Sequence, residues 1–241
     1  MKINTLLTPL SVDELYFTKK NVVVIDVLRA TTTIVTALQN GAKEIIPVSS
    51  VEFAMTVSGN SFKGHTLLGG ERNTLKIEGF ALGNSPLDYK REIIEGKSIV
   101  LFTTNGSKAI VKAKYAANLF ILSFLNANAV KEKILETDED WEILCSGNNG
   151  KFSYEDSVCA GMLISLIQNA KEEVILDDSS KTCKIIFDKH KKKLSKMLAE
   201  TEHGQKLIES GFNEDLDFAA QQNVCDIVPF YQTGVIKAIV K

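Results

Sequence analysis

Arginine is scarce in this chain: of 28 basic residues only Arg29, Arg72 and Arg91 are arginine, and the rest are lysine. Where lysine is the default cation, an arginine marks a place that uses a planar two-pronged donor for carboxylate or phosphate. Histidine is scarce too, and His65, His190 and His203 lie in no pattern that makes a Ser-His-Asp or metal–histidine site. The four cysteines form no CxxC pair and are widely spaced, which argues against a zinc site and for reduced, mostly buried thiols in a cytoplasmic protein. No apolar run approaches the roughly 20 residues that span a bilayer, and MKINTLLTPLSVDEL lacks the marks of a signal peptide. A net charge of −2 offers no footprint for nucleic acid or for an anionic membrane. Familiar nucleotide and acyl-transfer motifs are missing as well. Gly96-Lys97-Ser98 imitates the end of a Walker A loop, but the required earlier glycine position holds Arg91. There is no GxGxxG after a strand and no GxSxG elbow.

What the chain does have is alternation. Short apolar runs such as Val22–Ile25, Ile99–Phe102, Leu119–Leu122 and Trp141–Cys145 read as buried strands. Helical segments lie between them, starting near Thr31, Val51, Lys108, Asn126 and Tyr154. The pattern predicts an α/β fold, a mostly parallel sheet flanked by helices, with a helical C-terminal part that closes with short strands at Ile227–Tyr231 and Val235–Val240. We read 1–241 as a single unit, with a subdivision, if there is one, near 170–180. Lys181–Met197 reads as a lysine-rich surface helix with one buried face and no nucleic-acid role.

In parallel sheets ligands bind beyond the carboxyl ends of the strands. That rule selects four segments: Asp26–Thr33, the loop Leu67–Pro86, Thr103–Ser107 and Ser146–Asp156. Asp26 ends a strand, where a carboxylate serves catalysis, a metal or simply a turn. Thr31, Thr32, Thr103, Thr104, Asn105 and Gly106 place hydroxyls and free N–H groups at helix starts, suited to an anion or to capping. The long loop, expected to lack regular structure, carries Glu71 and Arg72 and later Asn84 and Ser85. Asp26, Glu71, Glu155 and Asp156 together are hard oxygen ligands, which suit Mg²⁺, while Arg29 and Arg72 read as anion clamps. This chemistry points to a small anionic phosphoester as substrate, and it is compatible with a homo-oligomer.

The ordered series Asp26–Thr33, Gly70-Glu71-Arg72, Gly83–Pro86, Thr103–Gly106 and Tyr154-Glu155-Asp156 resembles the 2-phosphosulfolactate phosphatase family. A later match runs through His203-Gly204, Leu207 and Asp226–Pro229, so the likeness covers nearly the whole chain. The resemblance implies a Mg²⁺-dependent phosphatase on the route from phosphosulfolactate toward coenzyme M. On this reading Asp26, Arg29, Glu71, Arg72 and Asp156 carry the chemistry, with Asp26 or Asp156 activating the nucleophile. An aspartyl-phosphate route through Asp26, a different phosphorylated hydroxy acid as substrate, and a non-catalytic anion-binding domain are the alternatives.

Overall fold

The computed structural model describes residues 1–59 and 65–239 of the chain. In chain order the strands are β1 (Lys2–Leu6), β2 (Asn21–Ile25), β3 (Glu44–Val48), β4 (Thr66–Arg72), β5 (Leu75–Lys76), β6 (Ser98–Phe102), β7 (Asn118–Leu122), β8 (Trp141–Cys145), β9 (Ile175–Leu176), β10 (Val228–Gln232) and β11 (Val235–Ile239). The helices are α1 (Ala30–Gln39), α2 (Val51–Gly59), α3 (Arg91–Ile94), α4 (Gly106–Lys112), α5 (Ala127–Thr137), α6 (Tyr154–Ala170), α7 (Asp178–His190), α8 (Leu194–Glu200), α9 (Glu202–Glu209) and α10 (Asn213–Ala219).

All five residues of β2 are buried, as a strand covered on both faces requires. Its side chains alternate between two cores. Val23 and Ile25 join Trp141, Phe124 and the inner faces of α5 to α8, whereas Val22 and Val24 join Ile34, Val35 and Ile110 from α1 and α4. The sheet runs β5-β4-β6-β3-β11-β10-β7-β2-β8-β1-β9. Strands β7, β2, β8, β1 and β9 pair in parallel, as do β4, β6 and β3. The α/β architecture expected from the alternating pattern is therefore present.

The closing strands expected near the C-terminus are present as the hairpin β10–β11, which joins the two parallel sets, pairing with β7 at Phe120 and with β3 at Ile45. Val240, expected in the last strand, lies outside the described residues. Two other elements differ from the sequence reading. The lysine-rich segment is two helices rather than one. Lys191, Lys192 and Lys193 stay in solvent while the chain turns to return Leu194, Met197 and Leu198 to the core. Lysines of α7 pair with acids close by in sequence, Lys181 with Asp178 and Lys184 with Asp188. Finally, the start of the long loop is not irregular. β4 continues to Arg72 beside β6 and folds back as β5. Gly70 permits this, since at φ +145° a Cβ there would lie 1.9 Å from the Phe102 carbonyl oxygen. No described helix is long and apolar enough to cross a membrane.

Candidate functional site

The ends of β2, β4, β6 and β8 meet in one place. Asp26, the first residue after β2, accepts a hydrogen bond from the Ala30 amide at 3.2 Å. Its own backbone is tied to the Thr31 hydroxyl, which donates to the Asp26 carbonyl at 2.8 Å. Glu71, near the end of β4, accepts from the Thr104 amide at 2.7 Å and from the Thr74 amide at 2.9 Å. Both carboxylates are buried, and each depends on a backbone turn for its position. The turn at Asn73-Thr74 has φ values of 53° and 70°, an uncommon conformation, above all for a β-branched residue. It is braced by the Glu71 contact and by Arg29 Nη2, which donates to the Thr74 carbonyl at 2.7 Å.

The cavity at this meeting point has a volume of about 310 Å³, with Glu71, Thr74, Asn105, Asn149, His203 and Lys206 on its wall. It narrows to a cleft of about 10 Å³ lined by Asp26, Arg29, Glu71, Asn84, Thr103 and His203. Asn84 Oδ1 is buried there with no hydrogen-bond partner. Burial pushes the Asp26 carboxyl up to about 6, against the opposing charge of His203 and the Ala30 amide, and the Glu71 charge adds to the rise. Asp156 is held well above the usual carboxylate range by burial first, then by the charges of Asp26 and Glu155.

The residues singled out from sequence divide into two groups. Asp26, Glu71, Arg29, Asn84, Thr103, Thr104 and Asn105 line the cavity or its cleft. The others lie behind or outside it. The Thr31 and Thr32 hydroxyls are fully buried and donate to the Asp26 and Val27 carbonyls, so they build the turn. The Ser85 hydroxyl donates to Asp215 at 2.6 Å. Asp156 accepts from the Val27 amide at 2.9 Å and from the Ser146 hydroxyl and Gly147 amide at 3.2 Å each, lacing β2 to β8. Glu155 Oε1 faces His203 Nδ1 at 3.5 Å. Arg72 is exposed, outside the cavity wall, and its charge acts on Glu52.

Arg29 is in the cleft but is already engaged. Its Nη1 donates to Asp215 at 2.7 Å, with both side chains 2% exposed, and its guanidinium lies 4.2 Å from the Phe212 ring centroid. His203, Lys206, Ser210 and Asp215 complete the site from α9, α10 and the turn between them, and none stood out as a site residue in the sequence. The stretch His203-Gly204 within the family-like series was the one available signal.

Gly106 backs Asp26. A Cβ there would lie 2.4 Å from the Ala30 Cβ and 2.5 Å from Asp26 Oδ2. Gly106→Ala must therefore push α1 from α4, and we expect a loss of about 1–3 kcal/mol in the denaturant midpoint. An unchanged midpoint would show that the contact yields freely.

Comparison with known proteins bears on the same residues. The family model described as 2-phosphosulpholactate phosphatase matches residues 7–234, which takes in every element that lines the cavity. A probable 2-phosphosulfolactate phosphatase of Clostridium tetani is 39% identical over 98% of this chain and 100% of its own length. One from Clostridium novyi is 41% identical over 95% of this chain and 96% of its own. Another, from Caldanaerobacter subterraneus, is 40% identical over 98% of both. A likeness of that extent, with the cavity residues inside it, means that the chain belongs to the 2-phosphosulfolactate phosphatase family.

Proposed function

We propose that this protein is a Mg²⁺-dependent phosphatase that hydrolyses 2-phosphosulfolactate to sulfolactate and inorganic phosphate, the type of reaction used in coenzyme M biosynthesis. The names of its relatives support the substrate. One observation supports the metal: among the described residues, the lysine and the arginine on the cavity wall are both already paired. Arg29 is paired with Asp215 and Lys206 with Glu202 at 2.7 Å, while the His203 ring faces Glu155. Asp26, Glu71 and Glu209, also on the wall, form no ion pair with a lysine or arginine among the described residues. A substrate with phosphate, carboxylate and sulfonate on three carbons would meet an acidic wall unless a cation came with it.

The donors fit Mg²⁺. No group of three His, Cys, Asp or Glu side chains among the described residues forms a cage, but Mg²⁺ is ordinarily held by one or two carboxylates together with waters and substrate oxygens. Asp26 and Glu71 would supply the carboxylates, and the unpartnered Asn84 Oδ1 would supply a third hard oxygen. Bound there, the ion would neutralise the phosphoryl oxygens and orient the reacting group. The chain's own part is to place and exclude. Glu71, fixed by two backbone amides, sets the floor of the cleft. Asp26, ionised above about pH 6 and on the wall of the cleft, would orient the attacking water and take its proton. The narrowness of the cleft keeps other water away from the phosphoryl end.

The test is phosphate release from 2-phosphosulfolactate with Mg²⁺ and with excess chelator. We expect turnover with the metal and a fall of about a hundredfold or more without it, the equivalent of several kcal/mol of charge stabilisation. Turnover of phospholactate alone would reassign the substrate. Anion binding with no phosphate release from either compound would make this a binding domain.

A further inference from the structure

We propose that His203, oriented by Glu155, is the general acid that protonates the leaving alkoxide, an inference that rests on the phosphatase reading above. Hydrolysis of a hydroxy-acid phosphate must expel a secondary alkoxide. That group is strongly basic unless it receives a proton as the bond breaks. Neutralising the phosphoryl oxygens does not supply that proton.

Few groups on the wall could. The Thr74 hydroxyl is hydrogen bonded to Ser210 at 2.9 Å, the asparagine amides carry no transferable proton, and Lys206 is half-exposed in an ion pair with Glu202. His203 differs in three respects. It lines both the outer cavity and the inner cleft, so it spans the boundary between the phosphoryl end and the rest of a bound ester. Its Nδ1 lies 3.5 Å from Glu155 Oε1, a carboxylate with 4% of its side chain exposed, which leaves Nε2 as the nitrogen for the substrate. It also sits on a fixed helix start. The Thr201 side chain accepts from the Gly204 amide at 3.0 Å, and a Cβ on Gly204 would lie 1.9 Å from the Leu198 carbonyl oxygen.

In the step itself the bond from phosphorus to the C2 oxygen breaks and its electron pair stays on that oxygen. The proton on His203 Nε2 passes to it. The water that forms the new bond to phosphorus gives one proton to Asp26. Sulfolactate and inorganic phosphate leave, Asp26 returns its proton to solvent, and His203 regains one through the cavity mouth. Glu155 is a positioning residue in this scheme.

The experiment uses the full chain with Mg²⁺ and compares wild type with His203→Gln, His203→Asn and Glu155→Gln. On 2-phosphosulfolactate each His203 variant is expected to lose about a hundredfold or more in kcat, with KM within about threefold of wild type. Glu155→Gln is expected to lose about tenfold, again in kcat rather than KM. The second readout is the leaving group. Phospholactate must expel an alkoxide, whereas phosphoenolpyruvate, of similar size, expels a more stable enolate. The loss on phospholactate should exceed that on phosphoenolpyruvate by about tenfold or more. Thermal melts identify a variant that has unfolded, and the two His203 replacements stand in for each other if one does. A kcat within about threefold of wild type, a loss confined to KM, or equal losses on the two surrogate esters would overturn the assignment. Failure of the wild type to release phosphate from 2-phosphosulfolactate would instead overturn the phosphatase reading.

Discussion

Asp26→Asn is expected to lose phosphate release by about a hundredfold to ten-thousandfold, the range for removing a group that takes a proton in the reaction, and at the same time to make the protein more stable at neutral pH. The second effect follows from burial. The Asp26 carboxyl titrates at about 6 in the fold, against 3.8 for an ordinary aspartate. A carboxyl whose pKa is raised by folding binds its proton more tightly in the native state, so its contribution to stability is fully present below about pH 4 and is lost as pH rises through about 6. The difference between the two values corresponds to about 3 kcal/mol, as an upper bound. Asparagine is neutral throughout. The variant should therefore melt several degrees above wild type at pH 7.5, at roughly 2–4 °C per kcal/mol for a chain of this size, and the gap should close near pH 4. Asp156 is raised in the same direction, partly by the Asp26 charge, so the variant also relieves that repulsion and the gain at neutral pH is reinforced rather than offset. Added Mg²⁺ should raise the wild-type melting temperature by mass action and move the variant less. Equal melting temperatures at pH 7.5 would mean that Asp26 is better solvated than its burial indicates. Equal Mg²⁺ shifts would remove it from the metal site.

The largest loss of stability is expected from Asp215→Ala. Asp215 pairs with Arg29 at 2.7 Å with both side chains 2% exposed, and its other oxygen accepts the Ser85 hydroxyl. Removing it leaves a guanidinium buried without a counter-charge, which costs about 3–5 kcal/mol. The double variant Arg29→Met with Asp215→Leu removes both charges and should recover most of that stability, because two apolar residues of similar volume replace a pair that gained little net energy. The chemistry then separates from the folding. If Arg29 contacts the substrate with an N–H not taken by Asp215 or the Thr74 carbonyl, the double variant stays inactive although folded. If Arg29 only ties α10 to the Asn73-Thr74 turn, activity returns with stability. Denaturant titration gives the first quantity and phosphate release the second. A single variant Asp215→Ala as stable as wild type would contradict the burial of the pair.

The chain itself determined the architecture and half of the site. Buried β-branched runs such as Val22–Ile25 can only be strands covered on both faces, and their alternation with amphipathic helices leads to an α/β sheet. The rule that ligands gather at strand ends then led directly to Asp26, Glu71 and Thr103–Asn105, because this signal is local: a carboxylate or hydroxyl placed just where a strand stops. What lay beyond the sequence was set by distance in space. Nothing near Arg29 indicates that Asp215, far along the chain, neutralises it, so a clamp for substrate and a buried structural pair look the same in sequence. Thr31 and Thr32 occupy a helix start that suits an anion, yet their hydroxyls turn back to the Asp26 and Val27 carbonyls. Arg72 follows Glu71 directly, and along a strand neighbouring side chains point to opposite faces, so only one of the two can face the cavity. His203 has no catalytic pattern around it, only its place in the family-like series. It reaches the site because α9 folds back over the strand ends and Glu155, buried at the start of α6, faces its ring. Local chemistry places candidates at the ends of strands, and only the packing of the C-terminal helices decides which of them remain free to act.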